Sequence, residues 1–253
     1  MATLPKLNQH TGNCMGLAAN PSTVVLLLLP LLLSLLAAGP PPVSAKLKTS
    51  NMQFDYFKDT YDGKAFKLDS PATIHNNALQ VTMDSVNSAG LTNQAGRVLY
   101  KSPFKLWEGQ NDTDRVASFN ASFLVNIYRL DNYTPGEGLT FVVAPDLNLP
   151  KKSYGGYLGL TNFTTDGNMT NKFIAVELDT FQEDFDPDSN HVGLDINSVR
   201  SNITVSLTPL GLQLVGEGTT ANFFNVWVQY DGINKWVMDA SSLPPGGGSA
   251  VTW

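Results

Sequence analysis

Along much of the chain, apolar and polar positions alternate with a period of two. Ala117, Phe119, Ala121, Phe123, Val125 and Ile127 alternate with Ser118, Asn120, Ser122, Leu124 and Asn126, which predicts a strand with one face buried. Phe224, Val226, Val228 and Tyr230 repeat the pattern. They run into Asp231-Gly232, a hairpin signal ahead of Lys235-Trp236-Val237. Leu79, Val81 and Met83 alternate as well, and so do Val192, Leu194 and Ile196. The run from Leu139 to Ala144 is apolar almost throughout, as expected of a strand covered on both faces. Turn formers separate these runs, and no stretch sustains a period of 3.6. The pattern therefore predicts an all-β, antiparallel sandwich in one domain. Trp107, Trp227 and Trp236 lie in or beside the strands and are expected to pack in the core or between the sheets.

The N-terminal segment reads differently. From Val24 to Ala38 the chain carries no charge, Pro30 interrupts it, and Gly39-Pro-Pro-Pro42 and Val43-Ser44-Ala45 follow. A membrane span needs about 20 apolar residues, whereas a shorter apolar stretch before a small-x-small site is the secretory pattern. Residues 1–45 are expected to be a signal peptide cleaved after Ala45, giving a secreted, extracellular protein. The alternative is an uncleaved segment that anchors the chain in a membrane. Residues 46–240 would then form the folded domain, and 241–253, with Pro244-Pro-Gly-Gly-Gly-Ser249, a Pro/Gly-rich tail.

Composition narrows the classes further. The 253 residues carry a net charge of −6 with 15% charged residues, so no cationic surface exists to neutralise a row of phosphates, and a nucleic-acid partner is excluded. The single cysteine, Cys14, lies in the leader, so neither a disulfide framework nor a thiolate zinc site can be built. Stability must come from the core or from a bound metal. Six Asn-x-Ser/Thr sequons, at Asn111, Asn120, Asn132, Asn162, Asn168 and Asn202, agree with secretion and predict a glycoprotein.

Much of the acidity is concentrated. Glu177, Asp179, Glu183, Asp184, Asp186 and Asp188 fall in one short segment that His191 closes. Glu177 and Asp179 follow the apolar run Phe173-Ile-Ala-Val176, and in a strand residues i and i+2 share a face. Like charges so placed repel unless a cation or a proton intervenes. One reading is a solvated acidic loop. A helix-loop-helix calcium hand fails, because Ser189 stands at the turn glycine, Asp195 replaces the closing Glu, and no helices flank the loop. A third reading is a paired metal site. There Glu177, Asp179, Asp186 and His191 hold a transition metal, while Asp179, Asp186 and a backbone carbonyl hold calcium. Residue types alone leave the loop and the metal site both open.

Several ordered motifs carry a resemblance. Ile174-Ala-Val-Glu-Leu-Asp-Thr180 followed by Asp186-Pro-Asp-Ser-Asn-His-Val-Gly193 resembles the metal-binding signature of the legume (L-type) lectins. Gly96-Arg-Val-Leu-Tyr100 with Pro103 and Leu106-Trp107 is similar to a second landmark of that family. Gly136-Glu-Gly-Leu-Thr-Phe141 with Ala144-Pro145, and Gly155-Gly-Tyr-Leu-Gly159, are similar to two more. The similarity runs in the family's order from about Phe54 to Val237, and its wording resembles the extracellular domain of plant lectin receptor-like kinases, without a following membrane span or kinase.

The resemblance implies a jelly-roll-like, concanavalin-like sandwich with a shallow sugar site above manganese and calcium. Manganese would take Glu177, Asp179, Asp186 and His191, with Ser201 acting through a water. Calcium would take Asp179, the carbonyl of Phe181, Glu183 and Asp186. The sugar would meet Glu137, the backbone N–H of Gly156, Glu183 and the ring of Phe181. Two positions depart from the family: Glu183 stands for the usual Asn and Glu137 for the usual Asp. The chain also leaves the family pattern after about Met238, so an incomplete sheet with an open edge is expected.

These readings make a glycan or glycoprotein the expected partner, with a homodimer compatible with the resemblance. A degenerate module that keeps its metals without binding sugar is the alternative. A glycoside hydrolase on a similar sandwich would place Glu-x-Asp-x-Glu on one strand with acid and nucleophile about 5 Å apart. Here the next Glu after Asp179 is Glu183, off that register, so a non-enzymatic protein is expected.

Overall fold

The alternation seen in the sequence becomes two four-stranded antiparallel sheets that share one core. The computed structural model describes residues 49–83, 91–109, 115–129, 134–216 and 222–233, together with the strand backbones of 236–242 and 249–252. The expected leader, 1–45, lies outside these residues. So do Asn111 and Asn132. No helix among the described residues is long and apolar enough to cross a membrane.

One sheet has the spatial order Ile203–Ser206 (β11), His191–Ile196 (β10), Ile174–Asp179 (β9), Gly138–Val143 (β8). The other runs Ser249–Thr252 (β14), Trp236–Ser242 (β13), Phe224–Asp231 (β12), Phe119–Val125 (β7). Three two-stranded ribbons complete the described strands. Phe66–Asp69 (β1) pairs with Arg97–Tyr100 (β4), Thr73–His75 (β2) with Ala78–Gln80 (β3), and Trp107–Glu108 (β5) with Arg115–Val116 (β6).

The core follows from the inward phase of each strand. Val176 and Leu178 of β9 and Val192 and Leu194 of β10 meet Val125 of β7 and Phe224, Val226 and Val228 of β12. Each such aliphatic side chain contributes about 1.5–3 kcal/mol by leaving water. Aromatic pairs tie the two sheets together: Phe123 stacks on Phe141 of β8 at 5.7 Å, and Phe119 lies 6.2 Å from the same ring. The predicted alternation of 117–127 holds in β7, where Asn120, Ser122 and Leu124 face outward. The Leu139–Ala144 run holds too, since Leu139 and Phe141 pack on this core and Val142 on a second one. That second core, made by Leu160, Phe173, Ala175 and Val199, covers the other face of β9.

Three expectations change. Trp107 and Trp227 are not core residues; they are 53% and 49% exposed. Val226 and Val228 take the inward phase of β12, and a strand cannot also turn the residue between them inward. The tail expected from 241 onward is not all linker, because 249–252 form β14 and pair with β13, which itself pairs with β12. The sheet therefore continues past β12. The alternation of Leu79, Val81 and Met83 outlasts its strand, since β3 stops at Gln80.

Candidate metal and ligand site

Strands β9 and β10 have a different character on the face away from the sandwich core. Their register sets His191 opposite Asp179 and Gly193 opposite Glu177, and that of β8 sets Gly138 opposite Asp179 and Thr140 opposite Glu177. Because Val176, Leu178, Val192 and Leu194 go inward, the alternate residues Glu177, Asp179, His191 and Asp195 must share the opposite face. All four are buried, with His191 and Asp195 at 0% exposure and Glu177 at 1%. Burying carboxylates is expensive unless they gain hydrogen bonds, protons or a cation.

The connection from β9 to β10 returns one more carboxylate to this face. The Glu183 N–H donates to Asp186 Oδ2 at 2.8 Å, and the Asp186 N–H donates to the Glu183 carbonyl at 3.1 Å. The Phe181 N–H donates to Asp179 Oδ1 at 2.8 Å. These bonds leave one ligand atom each of Asp179, Asp186 and His191 within 4.8 Å of one another.

The imidazole is oriented for ligation. His191 Nδ1 lies 2.9 Å from the Asp188 carbonyl, which can only accept, so Nδ1 carries a hydrogen. Nε2 then points at Glu177 Oε1 at 3.3 Å and Asp186 Oδ1 at 3.9 Å, and it is buried with no hydrogen-bond partner. A bare lone pair facing two carboxylates is repulsive, so this nitrogen needs a proton or a metal ion. Mixed imidazole and carboxylate donors suit a transition metal, and the residues fit one.

The electrostatics agree. Burial, reinforced by the charges of Glu177 and Asp186, pushes the Asp179 carboxyl up to about 8 against the pull of the Phe181 N–H and His191. Burial beside Glu177 pushes Asp195 up to about 9. Asp186 is raised chiefly by burial. For His191, burial pushes the pKa down, but the adjacent Glu177 carboxylate, the charge of Asp179 and the Asp188 carbonyl together raise it.

Ser201 stands between two acids. Its Oγ is hydrogen-bonded to Glu177 Oε1 and lies 2.7 Å from Asp195 Oδ1. One hydroxyl hydrogen serves one acceptor, so the second contact requires a carboxyl proton, which the raised Asp195 holds. Gly193 makes the arrangement fit, for a Cβ there would lie 2.0 Å from Ser201 Oγ.

Glu137 and Glu183 converge beside this cluster. The Thr180 N–H donates to the Glu137 carbonyl at 3.0 Å and its hydroxyl to the Gly136 carbonyl at 2.6 Å, fastening residues 136–137 to the end of β9. The loop containing Gly155 and Gly156 faces them. A Cβ on Gly155 would lie 3.8 Å from Glu137 Oε1, and one on Gly156 only 2.6 Å from Glu183 Oε1. Glu137 is raised by burial, then by the charges of Glu183 and Asp186, and its Oε2 is buried without a partner.

The structure thus brings Glu177, Asp179, Asp186, His191 and Ser201 together. Phe181, half-buried, sits at the edge of the cluster, and Glu183 turns its carboxylate toward Gly156. The roles of Gly193, Asp188 and Asp195 were not read from the sequence. The alternation of His191, Gly193 and Asp195 along β10 was the signal that could have found two of them. Of the sequons, Asn120, Asn168 and Asn202 are exposed. Asn162 is half-buried, and its side-chain amide donates to the Lys151 carbonyl at 3.1 Å.

Fold and cluster together define a two-sheet β-sandwich domain with a candidate metal centre at the ends of its central strands. Residues 49–240 match the family model described as the legume lectin domain, and the chain belongs to that family. It is 36% identical over 183 residues to a lectin of Onobrychis viciifolia, covering 72% of this chain and 70% of that protein. It is 39% identical over 172 residues to the probable L-type lectin-domain containing receptor kinase S.5 of Arabidopsis thaliana, covering 66% of this chain but only 24% of the kinase. The match therefore spans about a quarter of that receptor. Among solved structures, the basic winged bean lectin with Tn-antigen superposes with a TM-score of 0.63 at 30% identity, covering 79% of this chain and 77% of the lectin.

Proposed function

We propose that this chain is a secreted, glycosylated, non-enzymatic lectin-like module that binds a glycan and depends on calcium and manganese. The observation that carries this reading is the buried cluster of Asp179, Asp186 and His191, with Nε2 lacking any other partner. Glu177, Asp179, Asp186 and His191 would hold manganese, with Ser201 contributing through water. Asp179, the Phe181 carbonyl, Glu183 and Asp186 would hold calcium. When bound, the ions neutralise the carboxylates and stiffen residues 180–190.

The chain's own groups then do the recognition. Carboxylates of Glu137 and Glu183 accept hydrogen bonds from sugar hydroxyls, the Gly156 N–H donates one, and the Phe181 ring covers an apolar sugar face. The lectin relatives support this reading, among them a structure whose title pairs a lectin with Tn-antigen. The sequons at Asn111, Asn120, Asn132, Asn162, Asn168 and Asn202 support glycosylation and an extracellular location.

A second reading is favoured by one observation. The Glu183 carboxylate lies against Gly156, the residue whose N–H the lectin reading assigns to the sugar. The domain would then keep its metals and serve as an interaction module. A glycan array probed with residues 46–253, with and without EDTA, separates the two. Chelator-sensitive glycan signal supports the lectin. Metal binding without any glycan signal supports the interaction module, and turnover of a β-glucan overturns both.

A further inference from the structure

We propose that Arg97 is a positioning residue for the ligand loop: its guanidinium joins the two ends of residues 148–159 and so sets Gly155 and Gly156 opposite Glu137 and Glu183. The inference rests on the sugar-site reading for its consequence, but not for its geometry. Arg97 begins β4 and is 8% exposed. Its Nη1 donates to the Asn148 carbonyl at 2.7 Å, and its Nη2 donates to the Gly159 carbonyl. One side chain thus closes a loop at both ends, from a strand 51 and 62 residues away in sequence.

The loop needs such an anchor. It contains no strand, and four of its residues have left-handed backbones: Lys152 (φ 59°), Gly155 (66°), Leu158 (50°) and Gly159 (74°). Lys152 and Leu158 adopt that region only at a cost, so something outside the loop must hold it. Within it, the Gly159 N–H donates to the Ser153 carbonyl at 2.7 Å and the Leu158 N–H to the Gly155 carbonyl at 2.9 Å. Lys67 reinforces the near end, donating to the Leu147 carbonyl at 2.6 Å while paired with Asp69 at 3.1 Å.

Arginine suits the task for a physical reason. Its planar fork presents separate donors to two carbonyls at once, whereas an ammonium is a single point on a flexible stem. Burial still lowers the Arg97 pKa, and Asp69 and Asp146 lie close enough to offset part of that cost.

The test compares wild type with Arg97→Met, which keeps the apolar stem, and Arg97→Lys, which keeps the charge. Lys151 and Lys152 are exposed in the loop, so limited trypsin digestion with mass mapping reports its order directly. Terbium luminescence reports the metal site, and glycan binding the ligand site. Arg97→Met is expected to raise cleavage after Lys151 and Lys152 at least tenfold and to weaken glycan binding at least tenfold. Terbium affinity should stay within twofold of wild type, and Arg97→Lys should fall between. Unchanged cleavage in both variants, or terbium affinity lost in parallel with cleavage, would overturn the assignment. If wild type binds no glycan, the sugar reading fails while trypsin still decides the anchor. Should Arg97→Met not fold, Arg97→Lys carries the same readouts.

Discussion

The Glu177 carboxylate occupies the space that Gly193, directly opposite on the neighbouring strand, leaves by having no side chain. A Cβ on Gly193 would lie 2.1 Å from Glu177 Oε1. The backbone of β10 cannot retreat, because it is paired on both sides. Gly193→Ala is therefore expected to displace Glu177 and Ser201 and to weaken metal binding by about 10–100-fold, the usual cost of disturbing groups that orient ligands. Isothermal titration with manganese checks this. Wild-type affinity in the variant would show that Glu177 is not held by the Gly193 gap.

Metal loading should register as stability. An ion at 100 times its dissociation constant adds about 2.7 kcal/mol, which for a domain of this size raises Tm by about 5–10 °C. Differential scanning calorimetry with and without EDTA measures the shift. In His191→Ala and Asp186→Asn the shift should shrink to nearly nothing, and a full shift in either would remove that residue from the site.

The pH dependence of the metal-free protein has a definite sign. Folded Asp179 and Asp195 titrate near 8 and 9, against an ordinary value of 3.8. The native state therefore holds these protons where the unfolded chain has lost them, so stability falls as pH rises from about 4 to about 9. His191, also raised, acts in the same direction, its contribution being complete below 6.5 and lost as pH climbs through its folded value. Melting of EDTA-treated protein should thus occur at a lower temperature at pH 8 than at pH 5, and calcium with manganese should flatten the difference. A metal-free Tm that rises over this interval would contradict the buried-acid account.

Neighbouring residues on β12 should respond oppositely. Val228 is 0% exposed in the sandwich core, so Val228→Ala should cost about 2 kcal/mol in urea unfolding. Trp227 faces outward, and Trp227→Ser should change stability by no more than about 0.5 kcal/mol. A large loss at Trp227 would mean that this face is covered.

Glu183→Asn separates the two readings of the ligand site. The shorter, neutral side chain takes the carboxylate out of the Gly156 gap, so under the interaction-module reading neutral-sugar binding on an array should increase severalfold. Under the lectin reading, where Glu183 accepts from the sugar and holds calcium, binding should fall instead.

The parts of the fold legible in the sequence are those whose burial alternates. Val226, Val228, Phe119 and Phe123 announce β12 and β7 because one face of each strand meets the core and the other meets water. Trp227 misled because its size argues for burial, whereas its position between two inward valines decides against it. The candidate metal ligands Asp179, Asp186 and His191 were legible as residue types at strand and loop spacing. Asp195 was not, because an acid in an apolar strand looks like an interruption until its neighbour across space, Ser201, is known. Arg97 was hidden for the same reason, since its partners Asn148 and Gly159 are distant in sequence and are reached through backbone carbonyls that no residue type reveals. The strand at 249–252 was hidden by the Pro-Gly run before it, which is a sound turn signal but says nothing of pairing beyond.

The two-sided construction of β9 also proof-reads its own assembly. A slip of one residue would drive Glu177 and Asp179 into the apolar interior and turn Val176 and Leu178 toward the candidate metal site. The acids thus penalise every odd-numbered slip, because each one would bury a carboxylate among apolar side chains. A strand built this way can be copied with many changes in its oily residues, provided the alternation survives.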